Sequence, residues 1–294
     1  MALLAVLALV ATRIVATIRP TEATAAKLGG AHGTTPPPAA SQLPLADLDS
    51  GACMSYPPTH GGSGQTVFLD AGHGGLDPGV VGAAGGRQVL EKDATLSVAT
   101  RLSDLLRSAG YRVVMARTAD TTVIKLSPTD SVTGSLTAAA EHQDLLARAA
   151  CANAANASVL VSIHFDGFAD PSVGGTETFY DPARSFAAAN KRLAADLQAA
   201  LVGELATSDR GVWTDDQLAA PTLTSSGSIY NHLIELGPQA ADWVEAPSQM
   251  PGALVEPLFV TNPAEAAVAS DPAGEQRIAQ ALDVGLVKYL TTSG

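Results

Sequence analysis

The stretch Val67–Gly79, VFLDAGHGGLDPG, runs from a short apolar segment into a turn holding four glycines, with His73 at the change. A strand-like run ended by glycine and followed by a helix is the opening unit of an α/β domain. A lone histidine beside glycines serves as a turn residue as readily as a ligand, so its role depends on what the rest of the chain brings to it.

Outward from that stretch, strand and helix signals alternate. KDATLSVATRLSDLLRSAG places Val98, Leu102, Leu105, Leu106 and Ala109 on one helical face, with Gly110 where a C-terminal cap belongs. YRVVMAR reads as a strand, residues 140–155 as a helix, SVLVSIHFD as a buried strand and GTETFY as a further strand. A helix over 186–205 carries Leu193, Leu197, Leu201 and Leu205 in one row. Near the end, Asn262 can cap a helix that starts at Pro263, with Glu265 completing a capping box; a last helix aligns Ile278, Leu282, Leu286 and Leu290. The pattern predicts a single α/β domain on a mostly parallel, twisted sheet flanked by helices.

The chain has 294 residues, 46% hydrophobic and 16% charged, enough for one sizeable core with tails. Its formal charge of −12 disfavours nucleic acid and anionic lipid as partners. Residues 1–28 open with an apolar stretch broken by Arg13, too short and interrupted for a transmembrane helix, and read as a signal peptide or N-terminal membrane anchor. Residues 29–64, rich in Pro, Gly, Ser and Thr, read as a disordered linker, which leaves 65–294 as the folded domain. The two cysteines, Cys53 and Cys151, lack metal-site spacing; in an exported chain they can pair, and as free thiols they remain equally compatible with the sequence.

In parallel sheets ligands gather at the carboxyl ends of the strands. His73 and His164 each follow such an end, and Glu91 opens the helix after the glycine-rich loop. Two imidazoles and one carboxylate form the ligand set of a catalytic zinc site, and equally the facial triad of non-haem iron oxygenases. The residues by themselves leave both open.

Four motifs in order, DAGHGGLDPG, EKD at a helix start, VSIHFDG and MPGALVEPLFVTNPAEA, closely resemble those of the zinc-dependent N-acetylmuramoyl-L-alanine amidases of bacterial cell walls, the amidase type 3 family. The resemblance runs from about Thr66 to Leu290 and takes in MARTAD at the second strand. It implies one Zn2+ per chain on His73, Glu91 and His164, with Glu256 as catalytic acid/base. The reaction implied is hydrolysis of the amide between N-acetylmuramic acid and the L-alanine of the stem peptide. The partner is then peptidoglycan, the location the cell envelope or outside the cell, and the working form a monomer.

Departures from the family pattern, Asp166 where an asparagine is common and Pro257 after Glu256, bear on the cleft rather than on the ligands. The stretch Thr222–Gln249 is longer than in compact members; its apolar run from Ile229 to Leu236 reads as an added strand or hairpin at the rim, with a cleft wall or lid as the functional alternative. Glu235 and Glu256 sit in similar apolar runs and periodicity does not separate them; the resemblance favours Glu256, which TNPAEA follows. His32, His60, His142 and His232 have no partner motif and receive no metal role. A catalytically inactive peptidoglycan-binding module of this fold, or a metallopeptidase acting on another cell-wall amide, are the alternative readings.

Overall fold

The computed structural model describes residues 39–217, 222–223 and 229–292. In chain order the elements are β1 (Ser41–Gln42), β2 (Ala52–Tyr56), β3 (Thr66–Ala71), β4 (Val81–Ala84), β5 (Arg87–Leu90), α1 (Glu91–Ser108) and β6 (Arg112–Arg117). There follow β7 (Ser131–Val132), β8 (Ser135–Leu136), α2 (Ala138–Ala154), β9 (Val159–Ile163), β10 (Thr176–Tyr180), α3 (Ala187–Leu205) and β11 (Asp209–Thr214). The last are β12 (Thr222–Leu223), β13 (Ile229–Tyr230), β14 (Gly252–Glu256), α4 (Pro263–Ala269) and α5 (Pro272–Thr291).

Eight strands make one sheet in the order β1-β2-β6-β3-β9-β14-β10-β11, and the other six form three small hairpins. The central run β6, β3, β9 and β14 is parallel, because α1 and α2 supply the crossovers, whereas β2 and β10 flank it antiparallel. The carboxyl ends of β3, β9 and β14 therefore lie together on one sheet edge. Those of β10 and its parallel neighbour β11 face the opposite edge.

Alternation along each strand divides the core. Val67, Leu69, Val159, Val161 and Ile163 face Leu102 of α1, Leu197 of α3 and Leu282 of α5 in one buried cluster. Phe68, Val114 and Leu160 face Cys151 and Ala152 of α2, Ala155 at its C-cap, and Leu236 and Met250 in a second. Burying each of these large side chains stabilises the fold by about 1.5–3 kcal/mol before conformational entropy is counted.

The predicted helices stand within a few residues of their expected bounds. Gly110, at φ +94°, follows the end of α1, and its N–H bonds Arg107 O while Tyr111 N–H bonds Leu106 O, as in a Schellman-type stop. Asn262 caps α4 as expected, but Glu265 does not complete the box. Its carboxylate accepts from Phe259 N and Gly175 N instead, tying the loop after β14 to the start of β10.

The expected linker over 29–64 differs from the structure in its second half. β2 is an antiparallel neighbour of β6, and Ala52 and Cys53 are fully buried. A five-residue strand between proline and glycine clusters carries little periodic signal, and its pairing with β6 and the Cys53–Cys151 disulfide are non-local features. The expected segment 1–28 lies outside the described residues. Among those described, no helix is long and apolar enough to cross a membrane. The run Ile229–Leu236 is not one strand: only Ile229 and Tyr230 pair, with Thr222 and Leu223, and the chain then turns back over the sheet.

The disulfide closes a loop of 98 residues between β2 and α2. In the chain-entropy account such a loop is worth about 4–5 kcal/mol, an upper figure because native geometry and residual structure reduce it. Chemical unfolding of the Cys53→Ala/Cys151→Ala variant should show a loss of up to about that size with the native fold retained. An unchanged midpoint would mean that β2 is held by sheet pairing alone.

Candidate metal centre and cleft

The turn after β3 is set by backbone contacts before any metal chemistry. Arg117, at the end of β6 and fully buried, donates to Ala71 O, Gly72 O, Lys92 O and Thr95 Oγ1. Arg148 of α2, 2% exposed, donates to Ala71 O and His73 O and pairs with Asp70 at 2.6 Å and Asp144 at 2.8 Å. Three consecutive carbonyls are thus gripped by two guanidinium groups. Burial and the neighbouring Arg148 bring Arg117 down to about 10, still a cation at neutral pH. Burial alone would raise Asp70, but Arg148, His164 and the hydrogen bond from Ser162 together outweigh it and hold the carboxyl below its ordinary value.

Held in this way, His73 adopts φ +62°, a left-handed conformation uncommon outside glycine and found at functional turns. Its Nδ1 lies 2.6 Å from Asp77 Oδ2 and its Nε2 2.9 Å from Glu91 Oε1. His164 Nδ1 stands 3.0 Å from the same Glu91 oxygen and 3.1 Å from His73 Nε2. The three predicted ligand residues are therefore brought together, with one atom from each within 4.8 Å of the others.

Glu91 is nearly buried at the first position of α1, where the helix N-terminus favours a carboxylate. Oε1 accepts from Phe165 N and Oε2 from Val80 N, so both oxygens are oriented by backbone. Burial opposes its charge, yet hydrogen bonds from His164 and His73 win and its pKa falls well below the ordinary value. For His73, burial favours the neutral ring, but Asp77 and Glu91 outweigh it and raise the pKa to about 9.

Two glycines make room for this cluster. A Cβ on Gly72 would lie 2.3 Å from His164 Cε1, and one on Gly79 would lie 2.5 Å from Glu91 Oε2, where φ is also +64°. The imidazole of His164 thus rests on the backbone of Gly72.

Glu256 ends β14 directly after Val255, whose carbonyl accepts from His164 N. Its Oε2 is buried without a hydrogen bond among the described residues. Burial first, then Glu91, Asp166 and Glu177, push its carboxyl well above the ordinary range. Asp166, the departure noted in the sequence, is raised to about 7 by burial and by Glu177, so it belongs to the carboxylate group around Glu256.

Glu235 is closer to the chemistry than its sequence context implied. A cavity of about 170 Å³ is lined by His73, His164, Arg148, Leu145, Leu233, Ile234 and Glu235. The segment expected as a rim hairpin or cleft wall therefore forms one wall. Glu235 Oε1 is buried without a hydrogen bond, and burial beside Asp70 raises its pKa well above the usual value. His142 has a packing role: its Nε2 lies 2.7 Å from Trp243 O and its ring stacks on the Trp243 indole. His60 contacts Thr59.

His232 was assigned nothing in the sequence, yet it meets Asp181 and Asp215 in a buried cluster at the opposite sheet edge. Only the positions just after β10 and β11, each an aspartate, hint at it. Arg117 and Arg148 were also overlooked as site residues; an arginine closing the apolar run VVMAR and an Asp144/Arg148 pair on an otherwise apolar helix face were the available signals.

Gly72→Ala should fold, because the Cβ meets a side chain that can swing, but it should displace His164 and lower bound divalent metal well below the wild-type content. Elemental analysis beside a circular dichroism spectrum checks both. A second expectation follows from His73. With its pKa raised from 6.5 to about 9 in the metal-free protein, the ring is protonated below that value and must lose the proton to bind metal. Affinity for a divalent metal should rise by roughly tenfold per pH unit between about 6.5 and 9 and then level off, as measured by competitive titration with a chelating dye.

A family model described as N-acetylmuramoyl-L-alanine amidase matches residues 67–288. The chain is 31% identical to the germination-specific N-acetylmuramoyl-L-alanine amidase of Bacillus subtilis, covering 79% of this chain and 82% of that one. It is also 31% identical to N-acetylmuramoyl-L-alanine amidase LytC of the same organism over 77% of this chain, but spans only 36% of the length of LytC. Among solved structures, the CwlD amidase of Clostridioides difficile in complex with the GerS lipoprotein superposes with a TM-score of 0.60 at 25% identity, covering 78% of this chain and 99% of that one.

Proposed function

Because the chain belongs to the N-acetylmuramoyl-L-alanine amidase family, we propose that it hydrolyses the amide between N-acetylmuramic acid and L-alanine of the peptidoglycan stem peptide, using zinc held by His73, Glu91 and His164. The observation that carries this reading is the convergence of those three side chains, with His73 oriented from behind by Asp77 and Glu91 by the backbone N–H groups of Val80 and Phe165. Two imidazole nitrogens and a carboxylate oxygen suit zinc and leave a fourth position for water. When bound, zinc polarises the scissile carbonyl and lowers the pKa of the attacking water toward neutrality.

The chain's own groups do the rest. Asp77 fixes the ring orientation of His73 from the Nδ1 side, so Nε2 faces inward. Glu256, on the strand beside His164, takes the proton of the attacking water and passes it to the alanine nitrogen as the C–N bond breaks. The products are the free lactyl carboxylate of the sugar and a stem peptide with a free α-amine. Burial beside other carboxylates raises the carboxyl of Glu256, toward the range in which one group can both take up and return a proton. The wall at Leu233–Glu235 closes the cleft on the α2 side and bounds the peptide. The substrate places the enzyme outside the cytoplasm, in the cell envelope or secreted, with residues 1–28 as its export segment or anchor, and it works as a monomer.

Peptidoglycan digestion with mass analysis of released stem peptides, zinc being measured on the same samples, tests the assignment. His164→Ala should lose the zinc of this centre and turnover together. Glu256→Gln should keep zinc and lose about 10²- to 10⁴-fold in rate, while Glu235→Gln stays within about tenfold of wild type. The reverse order for the two glutamates would move the acid/base to Glu235.

A further inference from the structure

The cluster at the opposite edge has the build of a second metal site. Asp181 and Asp215 follow the ends of β10 and β11, parallel neighbours, and His232 enters from the segment that crosses the sheet. Both aspartates are fully buried. Their ion pairs among the described residues are with His232 alone, at 2.7 Å from Asp181 Oδ2 and 3.4 Å from Asp215 Oδ1. Arg184, which interacts with Asp181 through its charge, directs its hydrogen bonds to the carbonyls of Leu236, Gly237 and Ser248. Two buried carboxylates thus share one imidazole.

The contact geometry decides between a salt bridge and a ligand set. Asp181 Oδ2 is buried and accepts no hydrogen bond among the described residues, although His232 Nδ1 is only 2.7 Å away. The ring nitrogen approaches without aiming an N–H at that oxygen and is aligned instead with Asp215 Oδ1 at 3.4 Å, so one of the two carboxylates has no donor of its own on this face. Donor atoms that share one ion at bonds of about 2.0–2.2 Å stand roughly 3–3.5 Å apart, with their lone pairs turned to a common centre. The His73, Glu91 and His164 cluster shows separations of 2.9 to 3.1 Å, so the two triads are built on the same scale. His232 retains 21% side-chain exposure, a path for an ion and its water.

We propose that Asp181, Asp215 and His232 bind a second divalent transition-metal cation of the zinc class, with a structural role. The ion neutralises two buried carboxylates and joins the ends of β10 and β11 to the chain three residues before Glu235. Asp215 Oδ2 already accepts from Leu233 N at 3.0 Å, and Leu233, Ile234 and Glu235 line the cleft. The site therefore staples the cleft wall from behind, remote from the amide.

The test uses the full chain, stripped with chelator, reloaded with zinc, passed through gel filtration and analysed for zinc per chain. Wild type should retain about two equivalents, His232→Ala and Asp215→Asn about one, His164→Ala about one, and the His164→Ala/His232→Ala pair close to none. Added zinc should also raise the melting temperature of His164→Ala but not that of the double variant. Equal zinc in wild type and His232→Ala, or no thermal shift in His164→Ala, would overturn the second site while leaving the first reading intact. Should His232→Ala not fold, Co2+ titration of stripped wild type decides: uptake of two equivalents supports the proposal and saturation at one refutes it.

Discussion

Two buried guanidinium groups holding the carbonyls of Ala71, Gly72 and His73 are the constraint on which the cleft depends. A parallel strand that ends in glycines would fray, because its last carbonyls have no ladder partner beyond the sheet edge. Arg117 and Arg148 satisfy them from opposite faces, and Asp70 and Asp144 balance the charge of Arg148 inside the core. An ion network of this kind is weak evidence for net stability, since desolvating it costs several kcal/mol per ion. Its return is directional: it leaves the turn only one course, and that course puts His73 in a left-handed conformation facing Glu91.

From that turn the rest of the centre follows by topology. β9 lies beside β3, which brings His164 next to His73, and β14 lies beside β9, which brings Glu256 next to His164. α1 begins at the same edge, so its first residue contributes a carboxylate where the helix end favours negative charge. Each strand delivers one group, and the neutral backbone of Gly72 and Gly79 leaves space for the rings and carboxylate to converge.

How much of this was legible in the sequence depended on whether a feature is local. The central strands and all long helices announce themselves by period, and His73, Glu91 and His164 by following strand ends or opening a helix. β2 did not, because a short strand flanked by Pro57, Pro58 and glycines resembles a linker until its partner β6 and the disulfide are known. Glu265 fits a capping box by spacing, but a long carboxylate also reaches Gly175 and Phe259, and those loops are brought near only by the fold. The same holds for Glu235 and His232. Their neighbours lie up to 165 positions away in the chain, as with Asp70 and Glu235, so no spacing rule connects them.

Cys151 sits one helical turn beyond Arg148 on α2, and both side chains are buried against the sheet. The covalent link to β2 and the clamp on the His73 turn therefore share one stretch of helix. An outer strand held only by hydrogen bonds opens by itself, and its amide hydrogens exchange at a rate set by that small opening. Here β2 cannot leave β6 without dragging this turn of α2, and α2 cannot move without releasing the carbonyls. The rim of the sheet is thereby joined to the slowest-opening unit of the domain, and the amides of Met54 and Tyr56 should exchange with the core rather than as a terminus.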